Sequence, residues 1–268
     1  MLLLSSFAGQ EEVELMSTVT VKNVTIGDGI PKICVPIVAN TKEEILADAL
    51  DIVNSRVDIV EWRVDWFESA LDIEKMKDVL EQLSSVLNQI PLLFTLRTAR
   101  EGGKIDLSSE AYLEINQAAA ATGRVDLIDV EVLDKETIAT KMIESAHAAG
   151  VKVVGSNHQF DRTPSQEEMV DRLRRIQELG ADICKIAVMP QNETDVIRLL
   201  EATSIMRQKY AEKPLVTMSM AKLGVVSRIT GEIFGSALTF GTVKKASAPG
   251  QIESETLYQI LQDIHKVL

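Results

Sequence analysis

The chain has 268 residues, of which 46% are hydrophobic and 25% are charged, which is the composition of a globular protein with one sizeable core. Its net charge of −12 disfavours binding to nucleic acid or to an anionic membrane, because both partners would repel it. No apolar run approaches the length of a membrane span.

The first residues contain a short leucine run but no basic residue before Lys22, whereas a secretory signal has a basic start and a longer apolar stretch. We therefore expect residues 1–17 to be a disordered extension and residues 18–268 to form one domain in the cytoplasm. Cys34 and Cys184 lie in apolar runs, which favours buried free thiols of a reducing compartment over a disulfide.

A module of about thirty residues recurs in the middle of the chain, which is the length of a βα unit. Each copy has a helical stretch, a glycine suited to the left-handed end of a helix, and a short β-branched run typical of a buried parallel strand. The glycines are Gly123, Gly150 and Gly180. The predicted helices are Ser109–Thr122, Glu136–Ala149 and Ser165–Leu179, and the predicted strands are Val125–Val132, Val151–His158 and Ala181–Met189.

The helix starts agree with this pattern. Thr41 with Glu44, and Ser165 with Glu168, both have the spacing of a capping box, in which each side chain bonds to the backbone of the other residue. Helices are therefore predicted to begin after Thr41 and after Ser165.

The pattern of strands and helices extends in both directions. Further strands are predicted from Lys32, Val57, Pro91, Pro214 and Ser236. Eight strand–helix units predict an α/β fold, the (β/α)8 TIM barrel. The alternating residues Val19, Val21, Val24 and Ile26 predict a β-hairpin that closes the barrel floor. A doubly wound open sheet is the rival fold, but it would usually have a glycine-rich turn after the first strand, and VPIVANTKEE has none.

Charged or titratable residues lie in or just after four of the predicted strands, although a strand buried on both faces should be apolar. They are Glu61, Arg63, Arg97, Glu101, His158 and Lys185. Because the carboxyl ends of barrel strands line the active site, we expect these groups to meet at one mouth. Structural alternatives stay open: Glu61 and Arg63 could form a buried ion pair with Arg97 as a third member, and His158 could be a core histidine.

Lys185 is the hardest of these residues to explain structurally. Apolar strand residues flank it, so it cannot easily reach water from a barrel interior, and an unpaired buried ammonium is costly. An amine that attacks a carbonyl must be uncharged, and burial together with nearby guanidinium groups favours that form. The candidate guanidinium groups are Arg63, Arg97 and Arg228. His158, on the adjacent strand, is then a candidate proton shuttle, with Glu101 holding its other ring nitrogen.

Several motifs resemble those of the type I 3-dehydroquinate dehydratase family, in the same order along the chain. They are EWRVD from Glu61, TLRTAREGG from Thr95, NH at Asn157, DICKIAVMP from Asp182, TMSMAKLGVVSR from Thr217, GEIFGSALTFG from Gly231 and KASAPGQI from Lys245. The resemblance covers nearly everything after Met16.

The resemblance implies a homodimeric barrel of the shikimate pathway, without cofactor or metal, that converts 3-dehydroquinate to 3-dehydroshikimate by syn loss of water. It implies that Lys185 forms an imine with the substrate ketone, that His158 moves the protons and that Glu101 orients His158. The residues implied to bind substrate are Glu61, Arg63, Arg97, Met218, Arg228, Ser247 and Gln251. Among these, Arg228 would bind the carboxylate, and Ser247 and Gln251 would belong to a lid. The polar loop at 244–251, with Gly250 as a hinge, agrees with such a lid.

Two alternative functions are carried forward. Another Schiff-base barrel, such as a class I aldolase, would usually have a phosphate site in the loops after strands seven and eight, whereas Arg228 with Gln251 suits a planar carboxylate better. A non-catalytic small-molecule-binding barrel would form no covalent adduct.

Overall fold

The computed structural model describes residues 17–243 and 250–268. Its central element is a sheet of parallel strands with helices packed around the outside. The strands are β1 (Val19–Val21), β2 (Val24–Ile26), β3 (Lys32–Ile37), β4 (Ile59–Arg63), β5 (Leu92–Thr95), β6 (Leu127–Glu131), β7 (Lys152–Gln159), β8 (Ile183–Val188), β9 (Leu215–Ser219), β10 (Leu238–Thr242) and β11 (Ile252–Glu253). The helices are α1 (Lys42–Ile52), α2 (Ile73–Leu87), α3 (Ser109–Ala120), α4 (Glu136–Ala148), α5 (Gln166–Glu178), α6 (Glu193–Lys209), α7 (Val225–Ile229), α8 (Gly231–Phe234) and α9 (Ser254–His265).

Strands β3 to β9 pair in chain order, and β10 pairs with β3, so the sheet curls back towards its own beginning. A parallel bridge between Leu215 and Ser236 connects β9 to the start of the β10 segment. The backbone amide of Ala237 strengthens this join by donating to the carbonyl of Leu215 at 2.7 Å. The predicted eight-stranded TIM barrel is confirmed, and β11 adds two residues to the outer edge of β10.

The repeating module has the predicted boundaries to within two residues. Gly123, Gly150 and Gly180 have φ angles of 66°, 76° and 97°, so each takes the left-handed conformation expected just after a helix. The segment between β9 and β10 differs from the others, since it contains the two short helices α7 and α8 in place of one long helix.

The two predicted helix starts are confirmed, but only half of each capping box forms. Thr41 accepts from the amide of Glu44 at 3.3 Å, and Ser165 accepts from the amide of Glu168 at 3.2 Å. The Glu44 carboxylate accepts from the amide of Asn40, one residue before the cap. The Glu168 carboxylate binds arginine side chains instead, because charged donors form the stronger hydrogen bond.

The predicted hairpin is confirmed: β1 and β2 pair antiparallel, with Val19 opposite Ile26. The apolar side chains of the hairpin pack against the lower interior of the barrel, which includes Cys34, Ile59, Leu93, Leu127, Ile183, Val216 and Leu238. Lys22, at the hairpin tip, donates to the carbonyls of Asn88 and Ile90 and forms an ion pair with Asp126 at 3.0 Å. The hairpin therefore fills the end of the barrel opposite the strand C-termini. Ser17 lies against the carbonyl of Glu212, and residues 1–16 of the predicted extension lie outside the described residues.

A second apolar core lies between the sheet and the helices. Trp62 points into this layer and packs against Phe67 and Phe94, with ring centroids 6.0 and 5.8 Å away. Because side chains alternate along a strand, Trp62 on the outer face leaves Glu61 and Arg63 on the inner face. Cys34 and Cys184 are both buried free thiols, as predicted. Within the described ranges, no helix is both long enough and apolar enough to cross a membrane.

Candidate active site

The carboxyl ends of the barrel strands surround a cavity that opens to solvent. Seven of the residues predicted for the site line it. They are Glu61, Arg63, Arg97, Glu101, His158, Lys185 and Met218. Gly102, Phe160, Ala187, Met220 and Phe240 complete the wall.

The pairing register explains why these side chains meet. Ser156 on β7 pairs with Lys185 on β8, and His158 pairs with Ala187 two residues further along. Both Lys185 and His158 therefore point into the barrel, with His158 one layer nearer the mouth. An imidazole thus lies above an amine on neighbouring strands.

Lys185 is 3% exposed, and its ammonium lies 4.7 Å from the centre of the Phe240 ring. Its Nζ donates to Oδ2 of Asp129 at 3.1 Å. This contact differs from the expectation that guanidinium groups would be the determining neighbours of the amine. The direct neighbour is a carboxylate, which orients Nζ.

Asp129 shares its charge between two cations. Nη2 of Arg97 lies 2.8 Å from Oδ1 of Asp129, and Ser156 donates to the same oxygen at 2.6 Å. Burial alone would raise the pKa of Asp129, but Arg97, Lys185 and the hydrogen bonds from Ser156 and Lys185 lower it to about 2. The carboxylate that contacts Lys185 is therefore ionised at neutral pH, with part of its charge offset by Arg97.

Replacement of Asp129 by asparagine should lower the free energy of unfolding at pH 7 by about 3 kcal/mol, because Arg97 and Lys185 would stay buried with one compensating charge fewer. Folding lowers the pKa of Asp129, so its ionised form stabilises the fold above the unfolded value near 3.8, and this contribution is lost as the pH falls toward 2. Urea titrations at several pH values would measure the difference from wild type, which should shrink between about pH 4 and pH 2.

The control for this variant is Asp78→Asn, since Asp78 pairs with Lys42 at the surface at 2.6 Å. We expect this control to leave the unfolding midpoint unchanged, because exposed ion pairs contribute little. Equal midpoints for Asp129→Asn and wild type at neutral pH would contradict the proposed network.

His158 and Glu101 form the second cluster of the site. Nδ1 of His158 lies 2.8 Å from Oε2 of Glu101, and the backbone amide of His158 donates to the same oxygen at 3.0 Å. With the carboxylate ionised, Nδ1 carries the proton, so the neutral ring has its lone pair on Nε2. This is the tautomer that Glu101 was expected to set.

Burial dominates the titration of both groups. It lowers the pKa of His158, and the charges of Arg97, Lys185 and Arg63 lower it further. It also raises the pKa of Glu101, with Arg97 opposing the change and the charges of Glu131 and Asp129 adding to it. The two groups are hydrogen-bonded, so they gain and lose a proton as a coupled pair.

Glu61 and Arg63 do not form the structural ion pair that stood as an alternative. Arg63 binds Asp65 through two hydrogen bonds of 2.8 Å, from Nε and Nη2. Glu61 accepts from the hydroxyl of Thr95 at 2.9 Å. Each side chain is thus held separately at the wall of the cavity.

A tight turn after β5 carries Glu101 into the site. Gly102 has a φ of 83°, and a Cβ at this position would collide with the ring of Phe160. A Cβ on Gly103 would collide with the backbone oxygen of Arg97. Gly102 therefore allows the turn to approach Phe160, just after β7, and Gly103 allows the turn to close on the backbone of Arg97.

Two further predicted residues, Arg228 and Gln251, are not among the described residues that line the cavity. Arg228, on α7, is 1% exposed, and burial lowers its pKa to about 10. Gln251 is partly buried immediately before β11. Ser247 lies outside the described residues, so its predicted place in a lid stays a prediction.

Three residues of the network were missing from the sequence prediction: the buried Asp129 and Ser156 and the partly buried Glu131. Glu131 accepts from Nη1 of Arg97 at 3.0 Å and from the amide of Thr98 at 2.8 Å. A signal for the two acids was present, since Asp129 and Glu131 are two residues apart in an otherwise apolar strand. Ser156 gave no signal, because a small hydroxyl residue is common in buried strands. Within the described part of the chain, no group of three or more His, Cys, Asp or Glu residues is arranged to hold a metal ion.

Comparisons with known proteins agree with this geometry. The profile of the family described as type I 3-dehydroquinase matches residues 33–267. The 3-dehydroquinate dehydratase of Klebsiella pneumoniae subsp. pneumoniae is 50% identical over 247 residues, which are 92% of this chain and 98% of that protein. The 3-dehydroquinate dehydratase of Listeria welshimeri is 50% identical over 258 residues, covering 94% of this chain and 99% of that protein.

Solved structures give the same result. The type I 3-dehydroquinate dehydratase of Clostridium difficile, with covalently modified comenic acid, superposes with a TM-score of 0.92 at 50% identity and covers 95% of this chain and 100% of that one. The 3-dehydroquinate dehydratase of Geobacillus kaustophilus gives a TM-score of 0.90 at 35% identity and covers 93% of this chain and 97% of that one. With the barrel, the buried amine and the imidazole–carboxylate pair in place, the chain belongs to the type I 3-dehydroquinase family.

Proposed function

We propose that this chain is a hydro-lyase of the shikimate pathway that converts 3-dehydroquinate to 3-dehydroshikimate by syn elimination of water through an imine on Lys185. The observation that carries the proposal is the placement of the Lys185 amine and the His158 imidazole on the wall of one cavity. The Glu101 carboxylate, 2.8 Å from Nδ1 of His158, supports the assignment of His158 as the base.

The reaction begins when uncharged Nζ of Lys185 attacks the substrate ketone. The proton that Nζ gave up before its attack passes through His158 to the hydroxyl of the resulting carbinolamine, which leaves as water. The product is a protonated imine, which is a stronger electron acceptor than the ketone. Asp129 holds the amine, and its charge favours the cationic imine that replaces the ammonium.

In the elimination step, His158 first accepts a proton and then returns it. Nε2 removes a proton from the carbon next to the imine, and the electron pair of that C–H bond moves into an enamine. The enamine electrons expel the hydroxyl group, which takes the proton from the imidazolium and leaves as water. A second water molecule hydrolyses the conjugated imine, which releases 3-dehydroshikimate and restores the amine of Lys185.

The remaining site residues are proposed to position the substrate ring. Glu61, Arg63 and Arg97 would bind its hydroxyl groups, and Met218 would pack against the ring. Arg228 would bind the carboxylate with two parallel hydrogen bonds. Ser247 and Gln251 would belong to a lid that excludes water while the ring is bound.

Borohydride reduction tests this proposal. Protein incubated with 3-dehydroquinate and then reduced should gain the mass of one adduct, located on the peptide that contains Lys185. A spectrophotometric assay for the conjugated enone acid should show turnover. An unmodified chain without turnover would favour a non-catalytic binding barrel, and activity on a phosphorylated aldol instead of 3-dehydroquinate would favour an aldolase.

Two further properties belong to the same proposal: one catalytic domain over residues 18–268, and a cytoplasmic homodimer. The family resemblance supports both. Light scattering on purified protein should give twice the mass of the 29.5 kDa chain, and the mass of a monomer would contradict the dimer.

A further inference from the structure

Asn157 connects the catalytic pair to the helix layer outside the barrel. Its side chain lies on the outer face of β7, since it neighbours His158, which points inward. It is 9% exposed and makes two polar contacts of opposite kind. Nδ2 donates to Oε1 of Glu101 at 3.2 Å, and Oδ1 accepts from Nη1 of Arg172 at 2.7 Å.

These two partners leave the Asn157 amide one orientation. An arginine side chain can only donate, so it must face the amide oxygen, and an ionised carboxylate can only accept, so it must face the amide nitrogen. A flip of the amide would break both hydrogen bonds. Asn157 therefore presents a fixed N–H donor to Glu101.

Arg172 is fixed in turn by α5 and the end of β7. Its Nη2 donates to Glu168 at 2.6 Å, one helical turn earlier, and its Nη1 also donates to Gln159 at 3.1 Å. Oε1 of Glu101 is thereby held from outside the barrel, while Oε2 receives both bonds from His158.

We propose that Asn157, clamped by Arg172, is a positioning residue that keeps the Glu101 carboxylate directed at Nδ1 of His158. The inference rests on the proposed function, in which His158 is the base. It extends the active site to a polar chain that runs from α5 through Asn157 and Glu101 to the imidazole.

The charges around this chain set the direction of the expected effect. The groups that face Glu101 or His158 are Arg97 just after β5, Asp129 and Glu131 on β6, Lys185 on β8 and Arg63 on β4. Burial raises the pKa of Glu101, and the hydrogen bond from Asn157 lowers it. Loss of that bond should therefore let the pair gain its inactivating proton at higher pH.

The test is to measure kcat and KM for 3-dehydroquinate across pH. In Asn157→Leu, the acidic limb of the plot of kcat against pH should shift to higher pH by about one unit, because Glu101 loses a hydrogen bond to its charged form. Well below both limbs, kcat should then be about 10-fold lower than in wild type, with KM changed less than about 2-fold. Asn157→Asp should move the limb further, since a second carboxylate would then face Glu101.

Arg172→Met should move the limb in the same direction by a smaller amount, because the amide of Asn157 loses its clamp. It also serves as the readout if the Asn157 variants do not fold. The matched control is Arg175→Met on the same helix: Arg175 binds Glu136 at the surface at 2.6 Å and should leave kcat, KM and the limb unchanged.

A merely structural role for Asn157 would lower kcat at all pH values and leave the limb in place, and that result would overturn the inference. So would an equal movement of the limb in Arg175→Met. If wild-type protein neither turns over 3-dehydroquinate nor forms the reduced adduct, the proposed function fails. If wild type does both and the variant limbs coincide with its own, this inference alone fails.

Discussion

Lys185→Met is expected to lower turnover of 3-dehydroquinate by more than about 10⁴-fold and to remove the borohydride-trapped adduct, because the variant has no nucleophile for imine formation. Methionine has a similar length and can pack against Phe240, so the barrel should still close. Asp129 retains Arg97 as a partner at 2.8 Å, which limits the loss of stability. Mass spectrometry of the reduced protein and the enone assay together measure the effect.

The control for Lys185→Met is Lys152→Met. Lys152 also lies on a barrel strand and also pairs with an aspartate, Asp182, at 3.0 Å, but at the opposite end of the barrel and with a side chain 43% exposed. We expect it to give the full adduct and normal turnover. An adduct of the same mass in Lys185→Met would show that another amine is the nucleophile.

His158→Ala should reduce kcat by about 10²- to 10⁴-fold while adduct formation on Lys185 persists, because the imidazole is needed for proton transfer and not for the covalent bond itself. We therefore expect His158→Ala to give the borohydride-trapped adduct with little turnover of 3-dehydroquinate. The pKa of His158 is lowered by burial and by its cationic neighbours, so the ring itself is neutral at physiological pH.

His147→Ala is the matched control for that substitution. His147 lies on α4 and binds Asp182 at 2.7 Å, with a side chain 40% exposed and far from the carboxyl ends of the strands. Normal kcat is expected for this variant. Normal kcat in His158→Ala would remove His158 from the mechanism.

The fold could be predicted in some detail because its signals are local. The glycines after α3, α4 and α5 mark helix ends, and the short β-branched runs after them have the length of buried parallel strands. The β9–β10 connection was harder, since α7 and α8 have five and four residues and are too short to show helical periodicity.

The site was predictable to the extent that single charged residues interrupt apolar strands, as Lys185 does. What could not be read from such residues was which groups contact each other. Lys185 meets Asp129 only because β6 and β8 flank Ser156 on β7, and this depends on the register of three strands. Charged residues two positions apart in a buried strand identified Glu61 and Arg63. The same pattern would have identified Asp129 and Glu131, but Val125–Val132 was interpreted only as a strand.

The capping box at Ser165 is a third case. The spacing to Glu168 correctly predicted the helix start, yet the carboxylate binds Arg172 and Arg162. The local sequence therefore determines the N-cap at Ser165, whereas tertiary contacts with the two arginines determine where the Glu168 side chain binds. Asn157 escaped prediction for a related reason, since its importance comes from Arg172 and Glu101, 15 and 56 residues away along the chain.

The hairpin of β1 and β2 closes the lower end of the barrel, and the contacts of Lys22 hold the hairpin in place. Substrate, product and water must therefore all pass through the opening at the strand C-termini. Substrate enters and the water formed by elimination leaves through this opening. The hydrolytic water also enters there before the product leaves. On this arrangement, an inhibitor that lodges at the rim would trap the covalent intermediate inside as well as keep fresh substrate out.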